Sequence, residues 1–149
     1  MTSILRKFSR VLLVVTIVAS ALVVAVAPAH AYTCGYNDAG GYISHSEVAL
    51  SFSFEEQCSD GLARVTGRVY DTICDGRAAI AIFRVYRRAS DVSYWWSRTA
   101  RAENGCGSSA TFTFSGPSPG LSGWKLWVSM AACSRLGNCS SNYNHYYYG

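Results

Sequence analysis

Charge, proline and helical periodicity are all scarce in this chain, and each shortage excludes something. Only 15% of its 149 residues are charged and three are proline. Its 13 basic residues exceed its 9 acidic ones, but Arg6, Lys7 and Arg10 all stand near the N-terminus. Without those three the balance is close to neutral, so nothing supports the cationic field that nucleic-acid binding needs. No apolar stripe of period 3.6 is sustained along the chain, and without helical crossovers a parallel sheet has no means of connection. There is no Cys-x-x-Cys, no internal repeat and no interdomain linker. The longest apolar run, Val11–Val26, is shorter than the roughly 20 residues a helix needs to span a bilayer.

What is present begins with that run. Arg6, Lys7 and Arg10 precede it, and Ala29-His30-Ala31 follows with an A-x-A cleavage signal. This is the layout of a signal peptide over residues 1–31, cut between Ala31 and Tyr32. Tyr32-Thr33 before Cys34 lacks the small residues of a lipoprotein signal, and Arg6-Lys7 is not a twin-arginine pair. The expectation is export by the general pathway to an extracellular location. Residues 32–149 suffice for one domain with its own core.

Six cysteines lie in that domain: Cys34, Cys58, Cys74, Cys106, Cys133 and Cys139. An even set behind an export signal reads as a disulfide framework. Most of them stand beside turn signals or strand ends, which favours neighbour pairing among the 15 possible connectivities: Cys34–Cys58, Cys74–Cys106 and Cys133–Cys139. Each bridge typically contributes about 2–4 kcal/mol, against a net stability of about 5–15 kcal/mol for a whole domain. A zinc site is disfavoured, because Cys-x-x-Cys is absent and only His45 and His145 stand beside the cysteines. No metal and no cofactor are expected.

Period-two alternation recurs along the domain. Glu47–Phe54 puts Val48, Leu50, Phe52 and Phe54 on one face. Leu62–Tyr70 puts Ala63, Val65, Gly67 and Val69 inward and Arg64, Thr66, Arg68 and Tyr70 outward. Ala79–Arg88 starts apolar on both faces and ends with Arg84, Tyr86 and Arg88 on a polar one. Ser93–Arg101 is aromatic and weakly phased. Ser109–Phe114 alternates Ser or Thr with Phe112 and Phe114. Ser122–Cys133 sets Trp124, Leu126, Val128 and Met130 against Lys125, Trp127 and Ser129. Breakers such as Ser59-Asp60-Gly61, Asp75-Gly76, Asn104-Gly105 and Gly116–Gly120 separate these runs. Ser140–Gly149 reads as a last edge strand or a loose end. The fold class is an all-β antiparallel sandwich of about six to eight strands, stapled by three disulfides.

Catalytic candidates are thin. His45, in Ser44-His45-Ser46-Glu47, and His145, in Tyr143-Asn144-His145-Tyr146, read as solvated surface histidines and not as bases of a serine triad. Glu55-Glu56 point to opposite faces of a strand, so they do not line one cleft without a bulge. A cross-strand pair built from Glu47, Glu103 or Asp91 is the remaining route to a small hydrolase. Asp71 and Asp75 flank a loop at a spacing that suits calcium, but two carboxylates alone fit turn capping better.

The aromatic residues carry the functional expectation. Trp95 and Trp96 are adjacent, so a regular strand sends them to opposite sides. Trp127 faces away from Trp124, Leu126 and Val128. One or two exposed tryptophans suit stacking on sugar rings or anchoring at a protein interface. Arg64, Arg68, Tyr70, Arg84, Tyr86 and Arg88 are expected together on the outer face of one hairpin. There they would bind an anionic polymer or protein, or simply pair across the strands.

Val69-Tyr70-Asp71-Thr72, Cys74-Asp75-Gly76-Arg77, Gly105-Cys106-Gly107-Ser108 and the late Cys133…Cys139 pair resemble small secreted hypothetical proteins of actinomycetes, over roughly Leu62 to Cys139. The resemblance implies an extracellular β-sandwich with neighbour-type disulfides, and it brings no activity and no site residues. The functional expectation is therefore a monomeric, non-catalytic module that binds cell-wall or extracellular polysaccharide or a secreted protein. Its membrane contact is limited to the signal peptide before cleavage. The alternatives are a secreted enzyme inhibitor, an antibacterial toxin, and behind them a small hydrolase.

Overall fold

The computed structural model describes Cys34 and residues 38–103, 107–120, 122–134 and 136–149. They form eight strands and no helix, all within the compact unit Tyr32–Gly149. The strands are β1 (Ala39–Ser44), β2 (Val48–Glu55), β3 (Leu62–Asp71), β4 (Ala78–Tyr86), β5 (Trp96–Ala102), β6 (Ser109–Pro117), β7 (Lys125–Cys133) and β8 (Tyr143–Tyr148). All pairings are antiparallel, in two sheets of order β1-β2-β3-β6 and β5-β4-β7-β8.

Alternation in sequence becomes sidedness here. Val48, Leu50, Phe52 and Phe54 of β2 and Val65 and Val69 of β3 face inward from the first sheet. Ala81, Phe83 and Val85 of β4 and Leu126, Val128 and Met130 of β7 face inward from the second, and together they form one buried cluster. Phe83 is its hub, with ring centroids 5.6 Å from Phe52, 5.1 Å from Phe112 and 6.3 Å from Phe114. The first sheet thereby meets the second through edge-tilted aromatic contacts that add to the burial itself.

Two glycines are fixed by close approach. A side chain at Gly67 would collide with the backbone of Ser51 and the ring of Phe112, and one at Gly116 would enter the ring of Trp96. Turn chemistry acts as its residues dictate. At the β2–β3 hairpin Gly61 takes φ +76°, and Asp60 Oδ1 accepts the Leu62 amide at 3.2 Å. Asp71 and Asp75 accept the Ile73 and Arg77 amides at 3.2 and 2.9 Å, so the pair caps turns.

The tail takes the first of its two expected forms, an edge strand, β8. Two other points differ from expectation. Ala39–Ser44 is a strand that alternation does not announce, because Gly40 and Gly41 interrupt the pattern. Most consequentially, β3 and β4 are not a hairpin. Thr72–Arg77 crosses from one sheet to the other, so Arg64, Arg68 and Tyr70 lie on one side of the sandwich and Arg84 and Tyr86 on the opposite side.

Cys34–Cys58 and Cys133–Cys139 are bonded as neighbour pairing predicts. The expected Cys74–Cys106 bridge involves Cys106, which lies outside the described residues, as does the expected leader over residues 1–31. No described cysteine is free. Disulfides are compatible with an oxidising extracellular setting, and among the described residues no helix is long and apolar enough to cross a membrane.

Candidate functional site

The two outer faces differ in chemistry. On the first sheet the register lines up Tyr42, Ser51, Arg68 and Thr111 in one row and Gly40, Ser53, Thr66 and Thr113 in the next. That face is mostly hydroxyl. Arg64 is committed elsewhere, to Asp60 at 2.5 Å and to the Cys34 sulfur at 3.2 Å.

On the second sheet the same antiparallel register builds aromatic rows. Tyr146 of β8 lies opposite Trp127 of β7, which lies opposite Arg84 of β4, which lies opposite Ser97 of β5. The neighbouring row is Tyr148, Lys125 and Tyr86. Directly opposed residues are close enough for ring and cation contacts. The Arg84 guanidinium sits 4.4 Å from the Trp127 ring centroid and 5.2 Å from that of Tyr94. Its Nε is buried with no hydrogen-bond partner among the described residues. Lys125 Nζ lies 4.2 Å from the Tyr86 centroid and donates to the carbonyls of Ala89 and Asp91 at 3.0 and 3.1 Å. Lys125 therefore pins the β4–β5 connection down beside the rows.

The result is a shallow groove of about 470 Å³ whose walls include Arg84, Tyr86, Asp91, Trp127, Asn144 and Tyr146. Tyr146 is 55% exposed and, beside it on β8, Tyr148 is 61% exposed. Trp95 is 47% exposed in the β4–β5 connection, with Arg87 4.8 Å from its ring centroid. Arg88 lines a second groove of about 380 Å³ with Arg87, Asp91, Pro119 and Ser122.

Trp96 needs correction as a binding residue. It is 6% exposed, it fills the space over Gly116, and its Nε1 donates to the Pro117 carbonyl at 2.9 Å. Its ring is a core side chain with a satisfied polar atom. Of the nine residues expected to bind, Arg84, Tyr86 and Trp127 share one groove, Arg88 lines the second, and Trp95 stands in the β4–β5 connection against Arg87. Arg64, Arg68 and Tyr70 belong to the other sheet. Tyr94, Asn144, Tyr146 and Tyr148 were missed. The tail Asn144–Tyr148 alternates, but its sidedness depends on pairing with β7, which local sequence does not specify.

Other chemistry is weakly supported by geometry. The two grooves are each lined by a single carboxylate, Asp91. Asp38 and Glu56 are neighbours, and burial followed by the Asp38 charge raises the Glu56 carboxyl above its ordinary range. However, the Asp38 carboxylate is occupied by the Glu56 amide, and neither residue lines a groove. Cys34, Glu55 and Cys58 cluster closely enough to suggest metal ligands, but both sulfurs are spent in a disulfide. Of the breaker Gly116–Gly120, Gly116 and Pro117 belong to β6 and Pro119 is buried. No protein-family model, curated protein or solved structure matches this chain.

Proposed function

We propose that this chain is a secreted, non-catalytic binding module that holds an extracellular or cell-wall polysaccharide against the outer face of the second sheet. The observation that carries the reading is the Tyr146–Trp127–Arg84 row beside the Tyr148–Lys125–Tyr86 row. Sugar rings present C–H faces that stack on aromatic rings and hydroxyls that accept from cationic donors. A shallow groove of about 470 Å³ with open ends suits a polymer segment better than an enclosed small molecule. The leader over residues 1–31, a third bridge between Cys74 and Cys106, and kinship with small secreted actinomycete proteins belong to the same proposal.

Co-sedimentation with insoluble polysaccharides and with purified cell wall tests it. Trp127→Ala and Tyr146→Ala should each weaken retention, since loss of one stacking ring costs about 0.5–1.5 kcal/mol beyond lost area. Arg68→Ala, on the opposite face, should leave it unchanged. Retention by no polysaccharide, or loss through Arg68 alone, overturns the proposal.

A further inference from the structure

Arg84 differs from the other arginine and lysine side chains of its sheet in what its donors do. Arg101 pairs with Glu103 at 3.0 Å. Arg98 donates to the carbonyls of Ser97 and Ser115 at 2.9 and 3.4 Å. Lys125 spends its ammonium on the carbonyls of Ala89 and Asp91. The Arg84 side chain is half-buried, yet it has neither an ion pair nor a hydrogen bond among the described residues. Two rings hold it instead, those of Trp127 and Tyr94, with centroids 4.4 and 5.2 Å from the guanidinium carbon. An arginine held on ring faces engages its flat side and keeps its in-plane donors unspent. Nε is buried, so the two terminal nitrogens are left to the groove. Burial takes water from such donors, and a donor that loses water needs an acceptor in return.

We infer that the ligand of this groove is an acidic polysaccharide built on uronic acids, and that Arg84 receives a sugar carboxylate. This rests on the polysaccharide reading above and adds the charge of the ligand and the residue that selects it. A guanidinium presents its donors as a planar fork, which a planar carboxylate meets with two parallel hydrogen bonds. Rings against the flat side require the acceptor to arrive in that plane. A tetrahedral phosphate or sulfate would set its remaining oxygens above and below the plane, toward the negative faces of the rings. A uronic acid supplies both halves of the contact, an apolar C–H face for the exposed Tyr146 ring and a carboxylate for Arg84.

The charges around the groove agree with an anionic occupant. Its walls carry two cations, Arg84 and Lys125, against one carboxylate, Asp91. Asp91 is engaged by the β4–β5 connection, since its Oδ2 accepts the Arg88 amide at 3.0 Å. The second groove adjoins the first at Asp91 and adds Arg87 and Arg88, so the next acidic residues of a polymer meet further cations there. The wall is also fixed in advance. Besides the two Lys125 bonds, the Trp95 amide donates to the Val85 carbonyl at 2.6 Å and the Ala89 amide to that of Gly123 at 2.7 Å. A site that is already ordered loses little entropy on binding.

The test is calorimetric titration of the purified protein with an oligogalacturonate, with the same oligomer fully methyl-esterified, and with a sulfated dextran oligomer. Esterification removes the charge and keeps the sugar rings. The acid form should bind more than about tenfold tighter than the ester, the scale of charge-assisted hydrogen bonds, and tighter than the sulfated oligomer. Added salt should shrink that preference. Arg84→Met should bring the ratio of acid to ester affinity close to one, and Arg84→Lys, which keeps the charge without the fork, should fall between. Asp91→Asn, whose amide oxygen can still accept from Arg88, should raise affinity for the acid form. Arg68→Met, on the other sheet, should change nothing. In the unaltered protein the acid form should shift the Arg84 guanidinium nitrogen resonances, a readout that needs no variant to fold. Equal affinity for acid and ester, tighter binding of the sulfated oligomer, or an unshifted Arg84 overturns the inference, and retention on neutral polysaccharide would then leave the polysaccharide reading standing. Binding of no glycan, acidic or neutral, overturns both.

Discussion

Replacing Phe83 by Ala should come close to unfolding this protein. Phe83 is fully buried, and its ring touches Phe52 on β2 and Phe112 and Phe114 on β6, so it stands where the sheets meet. Removing a buried phenylalanine costs about 3–5 kcal/mol, part lost transfer energy and part residual cavity. For a domain of this size each kcal/mol lowers the melting temperature by about 3–5 °C, so the melting temperature should drop by about 9–25 °C. The assay is urea unfolding followed by tryptophan fluorescence, without reductant, so that the disulfides stay closed. The midpoint should move with little change in slope, as expected when the surface exposed on unfolding is unchanged. Phe83→Leu is the milder step, at about 1 kcal/mol. Combined with Phe112→Leu it should show a coupling of at least about 0.5 kcal/mol, because the rings touch. Trp95→Ala, at an exposed position, should fall within about 0.5 kcal/mol of the parent. A Phe83→Ala cost below about 1 kcal/mol, or no coupling with Phe112, would refute a core built across the two sheets.

Three further outcomes follow from single contacts. Gly116→Ala should destabilise by about 1–3 kcal/mol in the same assay: the new Cβ would sit 2.5 Å from Trp96 Cε2, in a ring already anchored to the Pro117 carbonyl. Lys125→Met removes both hydrogen bonds to the β4–β5 connection and should speed amide exchange at residues 88–92, with the exchange of β2 unaltered. Stability should decline as pH falls below the ordinary histidine value of about 6.5. His145 has a lowered pKa in the fold, so the unfolded chain binds more protons in that window and gains from acid. His145→Gln should flatten that part of the pH profile, and an unchanged profile would show that another group controls it.

How much was legible in the sequence depended on the distance the signal had to travel. Alternation located β2, β3, β4, β6 and β7 with the correct residues inward, because a strand's two faces are set by neighbours two positions away. It missed β1, where Gly40 and Gly41 remove the pattern, and it left Trp95 and Trp96 unphased. Their sidedness was decided by Gly116, a residue with room for an indole ring on a strand of the other sheet. The β3–β4 connection read as a hairpin because Asp75-Gly76 is a good turn. Turn chemistry does not reveal that six residues cross between sheets, so the arginine face was assembled from two opposite surfaces. The candidate groove was half legible: Arg84, Tyr86 and Trp127 emerge from their own strands, whereas Tyr146 and Tyr148 join them only through the register of β7 with β8. The contact between His45 Nε2 and His145 Nε2, 3.1 Å across a sequence separation of 100, had no local signature at all.

The most direct measurement of the central claim is the retention of the protein and of Trp127→Ala on insoluble polysaccharide and cell wall, each first shown to melt at the same temperature. Binding through the outer face of the second sheet predicts that the parent is retained, that Trp127→Ala is released at lower competitor concentration, and that Arg68→Ala behaves as the parent. Equal retention of the parent and Trp127→Ala would contradict it.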